Sequence, residues 1–171
     1  DGLIFTYGDE PRLNVVDRTN AASGLVRDDA YDWEKQLPGI INQVKPGFIV
    51  FMIGTNDRQP LRSSATQRDP VRSEPWEAAY RKRIDGILAT LKAYGKPYYW
   101  VGLPPMASAA SSADMAYFNG IFKTRVEAAG GKFIDVWNGF ADEAGAFTLK
   151  SPDADGQVRT MRLGGGVNFS K

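Results

Sequence analysis

Hydrophobic positions along this chain switch between a period of two and a period near 3.6, and the switches mark the elements. Residues 13–16 are a short strand candidate. Residues 32–44 place Trp33, Leu37, Ile40, Ile41 and Val44 on a helical stripe that Pro38 interrupts. The run at 48–53, Phe-Ile-Val-Phe-Met-Ile, is apolar on both faces, as a central strand of a parallel sheet should be. Residues 75–94 predict the best helix. Ser73 stands where a cap belongs, Pro75 suits the first turn, Ala79, Ile84, Ile87, Leu88 and Leu91 approximate an apolar face, and Gly95 is the stop. The pattern returns to strand over 97–103, to helix over 112–129 with Gly130 and Gly131 behind it, and to strand over 132–136. This alternation predicts an α/β fold with a mostly parallel sheet, in one domain spanning 1–171.

Two polar stretches interrupt the rhythm. Residues 58–72 are rich in Ser, Arg, Gln and Pro and follow Gly54-Thr55-Asn56-Asp57, where the carboxyl edge of a parallel sheet should lie. That loop is a candidate cover for a substrate. Residues 153–166 hold the turn pair Asp155-Gly156, a partly alternating run and three glycines.

Charge and composition then remove several function classes. Lys and Arg number 21 against 20 Asp and Glu, so no net field draws the chain to a nucleic acid or an anionic membrane, and neither partner is expected. No apolar run approaches the roughly 18 residues a bilayer span requires, so membrane insertion is not expected, and no stretch has the pattern of an export signal. At 171 residues and 43% hydrophobic content the chain can bury a sizeable core. Cysteine and histidine are both absent, which excludes disulfides and thiolate chemistry and leaves no reason to expect zinc or another cofactor.

The missing histidine changes the picture most. Gly54-Thr55-Asn56-Asp57 at the end of a buried strand has the look of an oxyanion site, but the usual base for a serine nucleophile is not there. Gly24 and Gly54 as turn glycines, with Asn56 capping its own loop, is the plainer alternative. Asp28, Asp29 and Asp32, like Asp153 and Asp155, miss the spacing of a calcium loop and fit polar turns. Arg58, Arg62, Arg68 and Arg72 are candidates for an anionic or glycan substrate, with a solvated loop as the simpler reading. Trp33, Trp76, Trp100 and Trp137 sit singly among apolar positions and read as core residues. Met106, after Pro104-Pro105, is a candidate lining residue for an acyl or sugar pocket.

Four stretches in order carry a family resemblance: residues 16–29, Val-Asp-Arg-Thr-Asn running into Ala-Ser-Gly-Leu-Val-Arg-Asp-Asp; residues 53–60, Ile-Gly-Thr-Asn-Asp-Arg-Gln-Pro; residues 99–106; and residues 133–137, Phe-Ile-Asp-Val-Trp. The set resembles the SGNH branch of the GDSL esterase and lipase superfamily, specifically a bacterial exported subgroup of uncharacterised substrate. The resemblance implies a three-layer α/β/α sandwich, the flavodoxin-like SGNH hydrolase fold, with a mostly parallel sheet of about five strands, one of them expected from outside residues 1–171. It also implies a periplasmic or secreted location and a small-molecule or glycan ester as substrate.

Residue by residue, the resemblance gives the Gly24 N–H and the Asn56 side-chain amide as oxyanion donors, types suited to stabilising charge on an attacked acyl oxygen. The family nucleophile is a serine after the first strand, and this chain starts just downstream of that element, so its serine is expected upstream of Asp1. Ser23 is the nearest internal hydroxyl but lacks a nucleophile-elbow context and reads as structural. In the last family block Gly165 stands at the aspartate position and Asn168 at the histidine position, and neither side chain can do that work. The domain is therefore expected to be incomplete at both ends. Two readings follow: a serine esterase or acyltransfer scaffold acting on an acylated extracellular glycan, or a catalytically silent member that binds a ligand or a protein in the same cleft.

Overall fold

The computed structural model describes residues 2–64, 66–153 and 155–164. In chain order the elements are α1 (Gly2–Tyr7), α2 (Trp33–Val44), β1 (Ile49–Phe51), β2 (Leu61–Arg62), β3 (Arg68–Asp69), α3 (Glu74–Tyr94), β4 (Tyr98–Val101), α4 (Ala109–Ala128), β5 (Lys132–Ile134), a 3-10 turn (Asn138–Phe140), β6 (Lys150–Pro152) and β7 (Val158–Thr160). Short polar side chains start the three long helices. Asp32 accepts the Lys35 N–H at 3.1 Å, Ser73 the Trp76 N–H at 3.4 Å and Ser108 the Ser111 N–H at 3.0 Å, each satisfying a donor the helix cannot. Gly95, at φ 73°, ends α3 in the left-handed conformation that a side chain would resist.

Three strands pair in parallel in the order β1-β4-β5, with Ile49 opposite Tyr98 and Trp100 opposite Phe133. Stepping one way across the sheet with right-handed crossovers carries α3 and α4 over the same face. The core lies there. Trp76 stacks on Tyr80 with centroids 4.5 Å apart, and Trp100 lies 4.9 Å from Phe51 and 5.0 Å from Phe122, pairs that add about 0.5–1.5 kcal/mol each beyond burial. α2 packs beside α3 through Leu37 and Ile41, and Trp33 meets Phe51 edge-on. On the opposite face Phe48, Val50, Met52 and Ile134 are 39–48% exposed.

The α/β architecture expected from the sequence is present, with helices packed on a sheet. The single sheet of about five strands is not: among the described residues there are three separate sheets, the parallel one and the antiparallel hairpins β2-β3 and β6-β7. Among the described residues α2, α3 and α4 pack over one face of the parallel sheet. Residues 13–16 do not join a sheet, because the apolar run is short and Asp17 at once turns the chain by accepting the Thr19 N–H at 2.7 Å. The run at 48–53, expected to be buried on both faces, lies at the edge of the sheet that the described residues form and buries one side only. The polar stretches became hairpins, the second closed by Asp153, whose Oδ1 accepts the Asp155 and Gln157 N–H groups.

Candidate functional site

The carboxyl ends of β1, β4 and β5 share one edge of the sheet, the usual place for a site in parallel α/β proteins. β1 leads into Gly54-Thr55-Asn56-Asp57, where Gly54 at φ 127° turns the chain sharply. A Cβ on Gly54 would also meet Leu103 at 3.0 Å and Phe122 at 3.1 Å. The turn brings Asn56 to the loop 21–26. Its Nδ2 donates to the Ser23 carbonyl at 2.7 Å and to the Ala21 carbonyl at 3.2 Å, while its own carbonyl accepts from Gln59 Nε2 at 2.7 Å. Gly24 is therefore next to Asn56, and a Cβ at Gly24 would lie 3.5 Å from that of Asn56.

The two oxyanion candidates differ in what they have to spare. Gly24 is buried as a residue, yet among the described residues no acceptor takes its N–H. Asn56 is exposed, but both amide hydrogens go to the neighbouring loop. Ser23 is committed as well: its Oγ donates to the Asn20 carbonyl at 2.6 Å and accepts from Trp33 Nε1 at 2.9 Å. Its proton goes to a backbone carbonyl, so nothing there activates it as a nucleophile. Gly165 and Asn168 lie outside the described residues.

Beneath this corner is a buried polar group that the sequence pattern did not single out. Asp57 is fully buried, with Oδ1 accepting the Val26 N–H at 2.9 Å and Oδ2 accepting the Tyr80 hydroxyl at 2.8 Å. Burial pushes its carboxyl above the ordinary aspartate range, opposed by the Val26 and Leu25 N–H groups, Tyr80 and the charge of Arg83. Tyr80 is pushed well up by burial and by the Asp57 carboxylate, so its hydroxyl remains a donor. Arg83 donates to the carbonyls of Leu25 and, at 2.7 Å, Val26, and pairs with Asp28 at 2.8 Å. A signal for Tyr80 existed, because it continues the buried α3 face of Trp76, Ile84, Ile87 and Leu91. Arg83 had none.

The remaining candidates have structural partners. Arg58 and Arg72 both pair with Asp114 of α4, each at 2.7 Å, tying the 58–72 loop to that helix instead of leaving it as a free cover. Arg62 and Arg68 are exposed on the β2-β3 hairpin. Met106 is buried rather than lining an open pocket; its Sδ accepts from buried Arg162 at 3.6 Å, and its backbone is held by Ser112. Asp29 pairs with Arg27, Asp32 caps α2, and among the described residues no cluster of three acidic, His or Cys side chains is placed to hold a metal ion. Trp76 and Trp100 are fully buried, and Trp33 and Trp137 pack against the core. Among the described residues no helix is long and apolar enough to cross a membrane.

Comparison with known proteins gives a family and a weak structural likeness. A family model described as "Protein of unknown function (DUF459)" matches residues 1–171. No curated protein matches the chain. Among solved structures, a carbohydrate esterase family 3 from Talaromyces cellulolyticus is similar at 17% identity with a TM-score of 0.43, over 69% of this chain and 57% of the esterase. The chain thus spans little more than half of that enzyme's length.

Proposed function

The chain belongs to the family described as protein of unknown function, DUF459, and from that premise we propose that it is a catalytically silent ligand-binding member built on an SGNH-type esterase scaffold. Its ligand is an acyl ester, in the first instance an O-acylated glycan met outside the cytoplasm, and the acyl oxygen sits at the corner of Gly24 and Asn56. The observation that carries this reading is the Gly24 N–H, which has no protein acceptor among the described residues, beside a serine whose hydroxyl is already committed. Binding needs a donor. Hydrolysis needs a nucleophile and a base as well, and 171 residues without histidine, with Gly165 and Asn168 where the SGNH resemblance puts the acid and the base, do not provide the usual pair.

The alternative, an active serine esterase, differs in one measurable respect. With the triad broken, turnover of a short-chain aryl ester falls below about a thousandth of that of a triad-complete enzyme. The deciding experiment titrates ¹⁵N-labelled protein with an O-acetylated oligosaccharide and follows both amide shifts and acetate release. Shifts centred on the Gly24 and Asn56 amides without acetate release support binding. Rapid acetate release that a serine reagent abolishes would establish the esterase instead, and saturating shifts elsewhere would move the site.

A further inference from the structure

We propose that Asp57 is a positioning residue that, acting from beneath the corner, fixes the 24–26 turn and makes the Gly24 N–H available to a ligand; the ligand-facing half of this inference rests on the reading above. The geometry of the turn is the argument. The peptide group joining Leu25 to Val26 is held at both poles, and the groups on either side of it are each held at one. The Asp57 carboxylate takes the Val26 N–H at 2.9 Å and faces that of Leu25, while Arg83 donates to the Leu25 and Val26 carbonyls. Both holds lead back to α3, since Tyr80 donates to Asp57 Oδ2 and Arg83 extends from the following turn of the same helix. With Leu25 and Val26 clamped on one side and the Ser23 carbonyl taken by Asn56 Nδ2 at 2.7 Å on the other, the Ser23–Gly24 peptide is restricted, and its N–H, on Gly24, is the group with no acceptor among the described residues.

Glycine at position 24 follows from the same carboxylate. A Cβ there would lie well under 3.0 Å from Asp57 Oδ1, closer than real Cβ atoms come, and a tight 3.1 Å from its Cγ. Any side chain at 24 must therefore displace the carboxylate from under the turn and break the clamp. Preorganisation of a donor by supporting groups of this kind is what lets it act on a developing or partial charge without rearranging. Asp57 is thus tied to Gly24 through space, not through the ligand.

The test uses amide hydrogen exchange in the free protein and ligand affinity side by side. Asp57→Ser removes the reach of the acceptor, whereas Asp57→Asn keeps an oxygen for the Val26 N–H and can donate to the Tyr80 hydroxyl. Asp57→Ser should speed exchange at Leu25 and Val26 by about tenfold or more, with amides in the middle of α4 unchanged, and Asp57→Asn should hold it within about threefold. Gly24→Ala should speed the same two amides in the wild-type background but add little in the Asp57→Ser background, because the obstructing carboxylate is gone. Affinity for the O-acetylated oligosaccharide should fall with Asp57→Ser and be rescued by Asp57→Asn. Equal acceleration in the turn and in α4, or additive effects of Gly24→Ala and Asp57→Ser, would overturn the positioning role. If the wild-type protein binds no such oligosaccharide while the exchange pattern holds, the clamp stands and the ligand reading fails.

Discussion

Replacing Tyr80 with Phe isolates one hydrogen bond in the core. The ring is fully buried and stacks on Trp76 at 4.5 Å, an arrangement that Phe reproduces, so the change deletes little but the hydroxyl. That hydroxyl donates at 2.8 Å to Oδ2 of Asp57, a carboxylate out of contact with solvent. Without it Oδ2 loses its side-chain donor in a place water does not reach, and a hydrogen bond to a charged group is worth about 1.5–3 kcal/mol. Taking about 2 kcal/mol, a domain of this length should melt about 4–8 °C lower. Urea unfolding at neutral pH, followed by tryptophan fluorescence, should show a lower midpoint with the slope unchanged. An unmoved midpoint at constant slope would refute the reasoning, because the carboxylate would then be satisfied without Tyr80.

Further outcomes follow from the same contacts. Burial holds the folded Asp57 pKa above its unfolded value, so the folded state keeps this proton to higher pH than the unfolded chain does. Its contribution is therefore present at acid pH and lost as pH rises through the folded pKa; the stability of wild type relative to Asp57→Asn should fall across that window, and a relative rise would contradict the assignment. Asp114→Ala frees Arg58 and Arg72 together, which should cost at most about 1 kcal/mol per part-exposed pair but make the 58–72 segment markedly quicker to trypsin. Unchanged cleavage would mean the loop is held elsewhere. Gly131→Ala would press a methyl into the ring of Tyr98, so about 1–3 kcal/mol of stability should be lost in thermal unfolding, and Tyr98→Ala should make the second change far cheaper.

The three long helices were legible because their signals are local, whereas α1 carries no such signal and was not expected. Ser73 and Gly95 act on backbone groups within a turn of themselves, so reading them needs no knowledge of the rest of the chain. The sheet was less legible. Whether residues 48–53 lie at the centre or at an edge depends on what pairs with them, which no pattern within the run encodes, and Val50 reads the same either way. At the candidate site, Gly24 and Asn56 were given roles from a resemblance, whereas Asp57 was read only as part of the turn, because an aspartate after a turn ordinarily faces water. Arg83 was invisible for a related reason: its partners are backbone carbonyls of a loop far back in the sequence, and backbone groups leave no trace in residue identity.

The glycine at position 54 affects how variation among relatives should be interpreted. Its φ of 127° is one that residues with side chains rarely adopt, and the space a side chain would need is already filled by Leu103 and Phe122. An invariant glycine at 54, and equally one at 24 above Asp57, would therefore be kept by purifying selection on folding even in a lineage that had given up chemistry long ago. In a survey of natural variants or a saturation library, intolerance at these two positions would say nothing about turnover. Positions whose side chains the packing does not constrain are the ones whose drift would date a loss of activity.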